Sequence, residues 1–151
     1  MEKTQLKETL TKLLPSAELK ETRQYLELVI PPQELHSTAS TLKTSGELHF
    51  DYLVCITGID LDDGFLLVYH LESTVHHHEL VLKTRIPGRD DPKTDTVSDI
   101  WITAEFHERE IYDLLGVKFN HHPDLRRLFL DDEWGFPLRK DYKDDINIIE
   151  R

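Results

Sequence analysis

Cysteine is almost absent from this sequence, which has one cysteine in 151 residues. Cys55 lies in the short apolar run Leu53–Ile56, where a thiol usually behaves as a small buried hydrophobic group. A disulfide within the chain needs two thiols, and iron–sulfur clusters and structural zinc sites usually need several. We therefore expect no internal disulfide and no self-contained cluster, so that any electron transfer would take place in other chains.

Basic residues and long apolar runs are also scarce. The chain has 18 Lys and Arg against 29 Asp and Glu, a formal net charge of -11, which repels phosphate backbones and anionic lipid headgroups. Apolar stretches reach only a handful of residues, far below the ~20 that a membrane-spanning helix needs. The polar N-terminus lacks the apolar core of a secretory signal. We expect no nucleic-acid partner and no direct membrane insertion.

The spacing of apolar residues predicts an α+β domain with a mostly antiparallel sheet of about four strands and flanking helices. Leucines at helical spacing predict a first helix that ends at Pro15, and the alternation from Arg23 to Ile30 predicts a strand. A second helix should end before Gly46. The remaining strands are predicted at about Phe50–Ile59, Phe65–Leu71 and His78–Ile86.

The last three predicted strands differ in their patterns. Asp62–Gly64 is a strong hairpin signal between the first two, and both of these are apolar on both sides. That pattern is typical of central strands covered on both faces, whereas the third strand alternates and should be half-exposed. Pro87–Thr96 is predicted to be a polar loop.

A third helix is the best-marked element of the sequence. Thr96–Asp99 resembles a capping box at its start, and Gly116 suits its C-cap. The charged residues Glu105, Arg109 and Asp113 stand at successive i,i+4 positions, where they could pair with one another.

From Lys118 onward neither the helical nor the strand period holds, so we divide the chain into an α+β domain over residues 1–117 and a long irregular C-terminal extension over residues 118–151. Each large apolar side chain contributes roughly 1.5–3 kcal/mol when buried, and disordered segments are poor in such residues. The extension is therefore expected to be ordered, partly over its own sheet and mainly on a neighbouring subunit. The alternative is packing on its own domain alone. The large apolar side chains are Phe119, Leu125, Leu128, Phe129, Leu130, Trp134, Phe136, Leu138 and Tyr142.

Three consecutive motifs carry a family resemblance. They are FHEREIYDLLGVKF at Phe106–Phe119, HPDLRR at His122–Arg127 and WGFPLRKDY at Trp134–Tyr142. In this order and spacing they closely resemble the C-type (30 kDa-type) subunit of respiratory complex I, the NADH:quinone oxidoreductase. His121 stands where that family commonly has glycine, and Phe136 stands where a histidine is often found.

The resemblance implies a cofactor-free structural subunit of the peripheral arm of the proton-pumping complex, non-catalytic by itself. Such a subunit packs on the D-type (49 kDa-type) subunit beside the quinone site and on other hydrophilic subunits. FMN, iron–sulfur clusters and quinone are then expected in the partner subunits. The chain would be peripheral, held at the cytoplasmic face of the cell membrane through its partners. The alternative is the equivalent subunit of a membrane-bound hydrogenase or formate hydrogenlyase complex, because homologous modules occur there.

The motifs and the composition of the extension predict a partner interface, with no catalytic, cofactor-binding or metal-binding residue in this chain. The charged residues would supply guanidinium–carboxylate pairs and contacts at the rim of the interface. The predicted interface residues are Glu108, Arg109, Glu110, Asp113, Phe119, His122, Asp124, Arg126, Arg127, Trp134, Phe136, Arg139, Lys140, Asp141 and Tyr142.

A free-standing metal-dependent enzyme is the hypothesis of another class, suggested by nine histidines. His76 and His78 would share one face of an extended segment, but two imidazoles are too few for a usual metal site. His107 falls on the apolar stripe of the third helix and is predicted to be a core residue. Glu108 and Glu110 do not face each other on a helix, so a structural lock to the arginines of the extension or to a partner is favoured over acid–base catalysis.

Overall fold

The computed structural model describes residues 2–144. Within these residues, the order of helices and strands confirms the predicted α+β class. A 3₁₀ turn over Pro32–Glu34 leads into the second helix. The helices are α1 (Lys3–Leu13), α2 (Leu35–Thr44) and α3 (Ala104–Leu115), and the strands are β1 (Glu18–Glu21), β2 (Leu26–Ile30), β3 (Tyr52–Leu61), β4 (Gly64–Ser73), β5 (His78–Pro87), β6 (Lys93–Asp95) and β7 (Lys118–Asn120).

The main sheet has five strands in the order β1-β2-β5-β4-β3, one more than expected. Neighbouring strands are antiparallel except β2 and β5, which are parallel, so the predicted mostly antiparallel sheet is confirmed. The sequence pattern did not predict β1, because three of its four residues are exposed and it lacks an apolar alternation. β6 and β7 form a separate parallel pair.

Two strand positions differ from the prediction. β3 is an edge strand, and Tyr52, Val54 and Ile59 are 49%, 46% and 41% exposed. β5 is central, between β2 and β4, and is mostly buried. The position of β3 was misjudged because a strand with apolar residues on both sides can also lie at the edge of a sheet. The position of β5 was misjudged because its charged residue Lys83 is partly buried by a salt bridge to Glu27 of β2.

One hydrophobic core joins the helices to the sheet. Leu28, Leu82 and Tyr69 stand side by side on β2, β5 and β4 and face this core. Leu6 of α1 and Ile111 of α3 pack into the same cluster. Over residues 2–144, none of the helices is long and apolar enough to cross a membrane.

The start of α3 corrects the sequence prediction. The helix begins at Ala104 after Thr103, and the predicted capping box at Thr96–Asp99 precedes it as an irregular segment. The capping pattern is matched there, but the Val97 amide binds the side chain of Glu108, in the middle of α3. The predicted C-cap at Gly116 is confirmed by its left-handed φ of 77°.

The segments on either side of α3 are more regular than expected. β6 lies in the predicted polar loop before the helix, and β7 comes directly after the helix. Both strands have three residues, too few to show an alternation. The division of the chain at residues 117 and 118 stays a prediction, although Lys118–Asn120 pairs with the domain through β6.

Candidate partner interface formed by the tail on helix α3

Charged side chains of α3 hold the irregular segment that follows β7, and we call its described part, residues 121–144, the tail. Arg109 is 5% exposed and Asp113 is completely buried, although both are charged. The predicted pairing of this row along the helix is wrong, because Arg109 and Asp113 both bind the tail. A charge can be buried in this way only when hydrogen bonds replace the water that it loses.

Asp113 makes more hydrogen bonds to the tail than Arg109 does. Its Oδ2 accepts the backbone N–H groups of Leu128, Phe129 and Leu130 at 3.2, 2.7 and 3.2 Å, and Arg127 donates to Oδ1 at 3.2 Å. Burial by itself raises the pKa of Asp113, but the three amides and the guanidinium together outweigh burial and lower this pKa below its ordinary value. Asp113 therefore fixes one turn of the tail on the helix.

Arg109 fixes the preceding tail residues. Its Nε donates to the carbonyl of Arg126 at 3.2 Å and its Nη2 donates to the carbonyl of Arg127 at 3.0 Å. The guanidinium also lies 5.6 Å from the ring centre of Phe106. Arg109 thus locks the helix to the tail through backbone carbonyls, a role that was predicted for Glu108 and Glu110.

Two guanidiniums that contact one aromatic ring hold the next part of the tail. Arg127 and Arg139 lie 5.2 and 4.9 Å from the ring centre of Phe136, distances typical of cation–π contacts. Arg127 also donates to the carbonyl of Gly135 at 3.1 Å, and Arg139 donates to the carbonyl of Leu115 at 2.6 Å. These contacts connect the tail to the C-terminal end of α3.

The sequence prediction missed an anchor for the end of the tail. The Asp60 carboxylate, 4% exposed at its side chain, binds Arg89 and accepts the backbone N–H of Lys140 at 2.7 Å. Arg89 also binds Asp141 at 3.0 Å. The hydrogen bond from Arg89 is the main reason why the pKa of Asp60 is lowered. The sequence signal that could have revealed this anchor is a carboxylate inside an apolar strand. A carboxylate that is buried there needs a hydrogen-bonding or charged partner.

Three large apolar side chains of the tail are exposed, while Leu125 packs against the core. Phe129, Leu138 and Trp134 are 68%, 60% and 44% exposed, whereas Leu128 and Leu130 are half-buried. The tail thus binds its own domain mainly through backbone and charged groups, and it presents large apolar groups to the solvent.

The other predicted interface residues lie in three kinds of place. Phe119 is buried in β7, and Glu110 is half-buried in a groove between α3 and β3 that Leu138 also lines. Exposed Asp124 pairs with Arg126 at 2.9 Å. The side chains of Lys140 and Asp141 are exposed and Tyr142 is half-buried at the end of the tail. Their contact with another chain stays a prediction.

Glu108 and Asp113 are the two completely buried carboxylates among the predicted interface residues. Glu108 is 0% exposed and accepts hydrogen bonds from the Val97 N–H at 2.9 Å and from the Thr96 hydroxyl. The imidazole of His122, at the start of the tail, lies 3.7 Å from its Oε2. Burial is the main cause that raises the pKa of Glu108 to about 7.

The remaining histidines occupy separate environments. His107 is only half-buried, so its predicted place in the core is wrong. His78 is buried and donates from Nε2 to the carbonyl of Leu48 at 2.7 Å, and His76 bonds the carbonyl of Gly46 at 2.9 Å. In the part of the chain that the structure describes, there is no group of three or more His, Cys, Asp or Glu residues that could hold a metal ion.

Comparison with known proteins gives a consistent set of similar chains. The family model described as "Respiratory-chain NADH dehydrogenase, 30 Kd subunit" matches residues 28–146. The C/D-type NADH-quinone oxidoreductase subunit of Phocaeicola vulgatus is 48% identical over 120 residues, which are 78% of this chain and 23% of that protein. The C-type subunit of Chloroherpeton thalassium is 44% identical over 105 residues, which are 68% of this chain and 43% of that protein. The C-type subunit of Geobacter sulfurreducens is 38% identical over 130 residues, which are 83% of this chain and 78% of that protein.

The chain therefore spans less than half the length of the first two of these relatives. A chain in the structure of the membrane-bound sulfane sulfur reductase, an archaeal respiratory membrane complex, has the same fold with a TM-score of 0.81. It is 29% identical, and the match covers 93% of this chain and 85% of that one.

Proposed function

This chain belongs to the family of the 30 kDa subunit of respiratory-chain NADH dehydrogenase, as its three motifs predicted, and we propose that it is a cofactor-free structural subunit of the peripheral arm of an NADH:quinone oxidoreductase. The observation that supports this role best is the tail, which is fixed largely by polar groups and exposes Phe129, Trp134 and Leu138. The chain would contribute a surface to the complex, and its partners would carry the electrons.

The exposed side chains of the tail have the chemistry of a protein interface. Phe129 and Trp134 are aromatic, and arginines lie among them, a combination that is enriched at the centres of interfaces. Burial of each large apolar side chain contributes roughly 1.5–3 kcal/mol. Since Asp113 and Arg109 already order the tail backbone, a partner would bind it without the full cost of ordering a flexible segment.

The D-type subunit is the partner that we propose for this surface. The name of the similar protein from Phocaeicola vulgatus joins the C and D designations in a single chain. Covalent connection keeps two domains at high effective concentration, which suits domains that bind each other. Other hydrophilic subunits would complete the arm and hold FMN, the iron–sulfur clusters and the quinone site. The chain would then be peripheral, at the cytoplasmic face of the membrane.

Affinity purification of the tagged chain from native membranes tests this function. We expect mass spectrometry to find a D-type chain and a flavin- and NADH-binding chain in stoichiometric amounts. Recovery of the chain alone, or with proteins unrelated to quinone reduction, would refute the proposal. The control is a folded variant with polar residues in place of Phe129, Trp134 and Leu138, which should recover less of the D-type chain if the tail makes the contact.

A related membrane-bound reductase or hydrogenase complex is the second candidate, supported by the TM-score of 0.81 to a chain of the sulfane sulfur reductase structure. The same purification distinguishes the two. A D-type chain recovered without any flavin- and NADH-binding chain would favour the second candidate, because the electron donor would then not be NADH.

The free-standing metal-dependent enzyme makes an opposite prediction for the purified chain. Elemental analysis after removal of loosely bound ions would find zinc, iron or manganese at one or more per chain if that hypothesis were right. We expect substoichiometric metal and an unchanged unfolding midpoint after treatment with a chelator.

A further inference from the structure

The buried carboxyl group of Glu108 has an environment that favours its neutral form. Its side chain is completely excluded from solvent. Within residues 2–144, its one ion-pair contact within 4 Å is the imidazole of His122, at 3.7 Å. A carboxylate buried without a positive partner is costly, and such a group usually keeps its proton instead.

Both ring nitrogens of His122 bind backbone groups. Its Nδ1 accepts the backbone N–H of Asp124 at 3.0 Å, and its Nε2 lies 3.0 Å from the carbonyl of Glu105, to which it donates. The imidazole is thus engaged by two backbone groups, and it approaches Oε2 of Glu108 only at 3.7 Å.

The polar groups around Glu108 can accommodate either charge state. Its Oε1 accepts the N–H of Val97, and its Oε2 contacts the hydroxyl of Thr96, which in turn lies 2.8 Å from the hydroxyl of Ser98. With ionised Glu108, the Ser98 hydroxyl donates to Thr96 and Thr96 donates to the carboxylate. With neutral Glu108, the carboxyl proton is donated to Thr96 and the Thr96 hydroxyl turns towards Ser98. Two hydroxyl rotations are sufficient for the change.

We propose that Glu108 is a buried proton-binding site, and that loss of its proton weakens the hold of α3 on the irregular segment before it and on the start of the tail. The acid lies where three parts of the chain meet: α3 itself, the segment at Thr96–Ser98, and the tail at His122. Its charge state is thereby coupled to the attachment of the tail.

Two other titratable groups, Asp99 and Tyr69, interact with Glu108. Asp99, in the segment before α3, raises the pKa of Glu108 by like-charge repulsion, in addition to the larger effect of burial. Tyr69 of β4 is fully buried, and burial first and the charge of Glu108 second raise its pKa. The bonds from Thr96 and Val97 lower the pKa of Glu108 without cancelling the effect of burial, and the pKa is about 7.

The direction of the pH effect follows from the raised pKa. In the unfolded chain Glu108 titrates near its ordinary value of 4.5, so between about pH 5 and 7 the folded state binds a proton that the unfolded state has lost. This stabilising contribution is complete below the ordinary pKa and is lost as the pH rises through the folded pKa. One linked proton changes an opening equilibrium by at most ~10-fold per pH unit.

A side-chain carboxyl NMR titration of the full chain, with the Glu108 signal assigned by its loss in Glu108→Gln, measures the site directly. We expect a midpoint within about one unit of pH 7 for Glu108, well above those of exposed glutamates. A midpoint near 4.5 would overturn the proposal, because the acid would then be ionised throughout the neutral range.

Hydrogen exchange in the full chain tests the coupling to the tail. In the wild type, protection of residues 119–124 should fall by up to ~10-fold per unit between about pH 5 and 7, after correction for intrinsic exchange. Glu108→Gln, whose amide can make the same bonds as the neutral acid, should abolish this fall, and Glu105→Gln, one turn earlier, should retain it. If both variants keep the wild-type profile, proton loss at Glu108 does not control the tail and the proposal is wrong.

Discussion

Asp113 illustrates how one buried carboxylate can organise a segment that has no regular secondary structure. Its Oδ2 accepts three consecutive backbone amides of the tail, and its Oδ1 accepts a guanidinium. Residues 128–130 belong to no helix or strand, so no backbone carbonyl of such an element accepts their amides. The Asp113 side chain accepts these hydrogen bonds instead. Loss of its charge would leave buried donors without an acceptor.

Replacement Asp113→Asn should destabilise the attachment of the tail by roughly 3 kcal/mol or more, because it breaks a buried, hydrogen-bonded ion pair. The expected observations are faster protease cleavage within residues 121–144 and a lower urea midpoint. Asp124→Asn is the matched control, since Asp124 pairs with Arg126 at the exposed surface, where such pairs contribute little. Equal effects of the two replacements would contradict the role given to Asp113.

Acid should release the tail through the same side chain. The pKa of Asp113 is lowered, so its stabilising contribution is present above its ordinary value of 3.8 and is lost as the pH falls below that value. Asp60, whose pKa is also lowered, adds to this acid step. We expect tail protection, measured by hydrogen exchange, to fall below about pH 4, with a smaller fall in Asp113→Asn. A fall of undiminished size in that variant would exclude Asp113 as its cause.

The end of α3 shows how a helix stop also positions the tail. Gly116 has a left-handed φ of 77°, and a Cβ at this position would lie 2.7 Å from both Arg139 and Phe136. Glycine is therefore required twice, by the backbone conformation and by the close approach of the tail.

Gly116→Ala should cost clearly more than Gly88→Ala, its matched control. Gly88 also has a left-handed φ, of 82°, but nothing lies within 4 Å of a Cβ there. Alanine at Gly88 should therefore cost only the backbone strain of roughly 1–2 kcal/mol, and at Gly116 a further ~1–3 kcal/mol from overpacking. The difference between the two urea-unfolding free energies isolates the contact with the tail. If the two variants lost equal free energy of unfolding, the tail would have to move away from the new Cβ without any loss of stability.

Helices and long strands of this chain were predictable because their periods are local properties of the sequence. α1, α2, β4 and the hairpin before it were found in this way. The prediction failed where contacts between distant segments decide the structure. The capping pattern at Thr96–Asp99 was matched, yet the Val97 amide binds Glu108, and β3 was placed at the centre although its second edge has no neighbouring strand within residues 2–144.

At the scale of the molecule, the fold separates an ordered core from a surface made by the tail. Composition predicted that the tail is ordered and rich in aromatic groups, but it could not show which groups face inward. That choice depends on pairs such as Asp60 with the Lys140 amide, which are 80 residues apart. The chain has a net charge of -11, and three of its large exposed apolar side chains, Phe129, Trp134 and Leu138, lie on the tail.

Binding to a purified D-type subunit is the decisive test of the proposed role of the tail. The variant to compare with the wild type replaces Phe129, Trp134 and Leu138 with serine, and its control replaces other exposed apolar residues, on β3, with threonine. The control residues are Tyr52, Val54 and Ile59.

Isothermal titration calorimetry should give a dissociation constant at least ~100-fold weaker for the tail variant and nearly unchanged for the β3 variant. Circular dichroism would first establish that both variants are folded. Equal affinity of the tail variant and the wild type would contradict the proposal that the exposed side chains of the tail hold this protein in its complex.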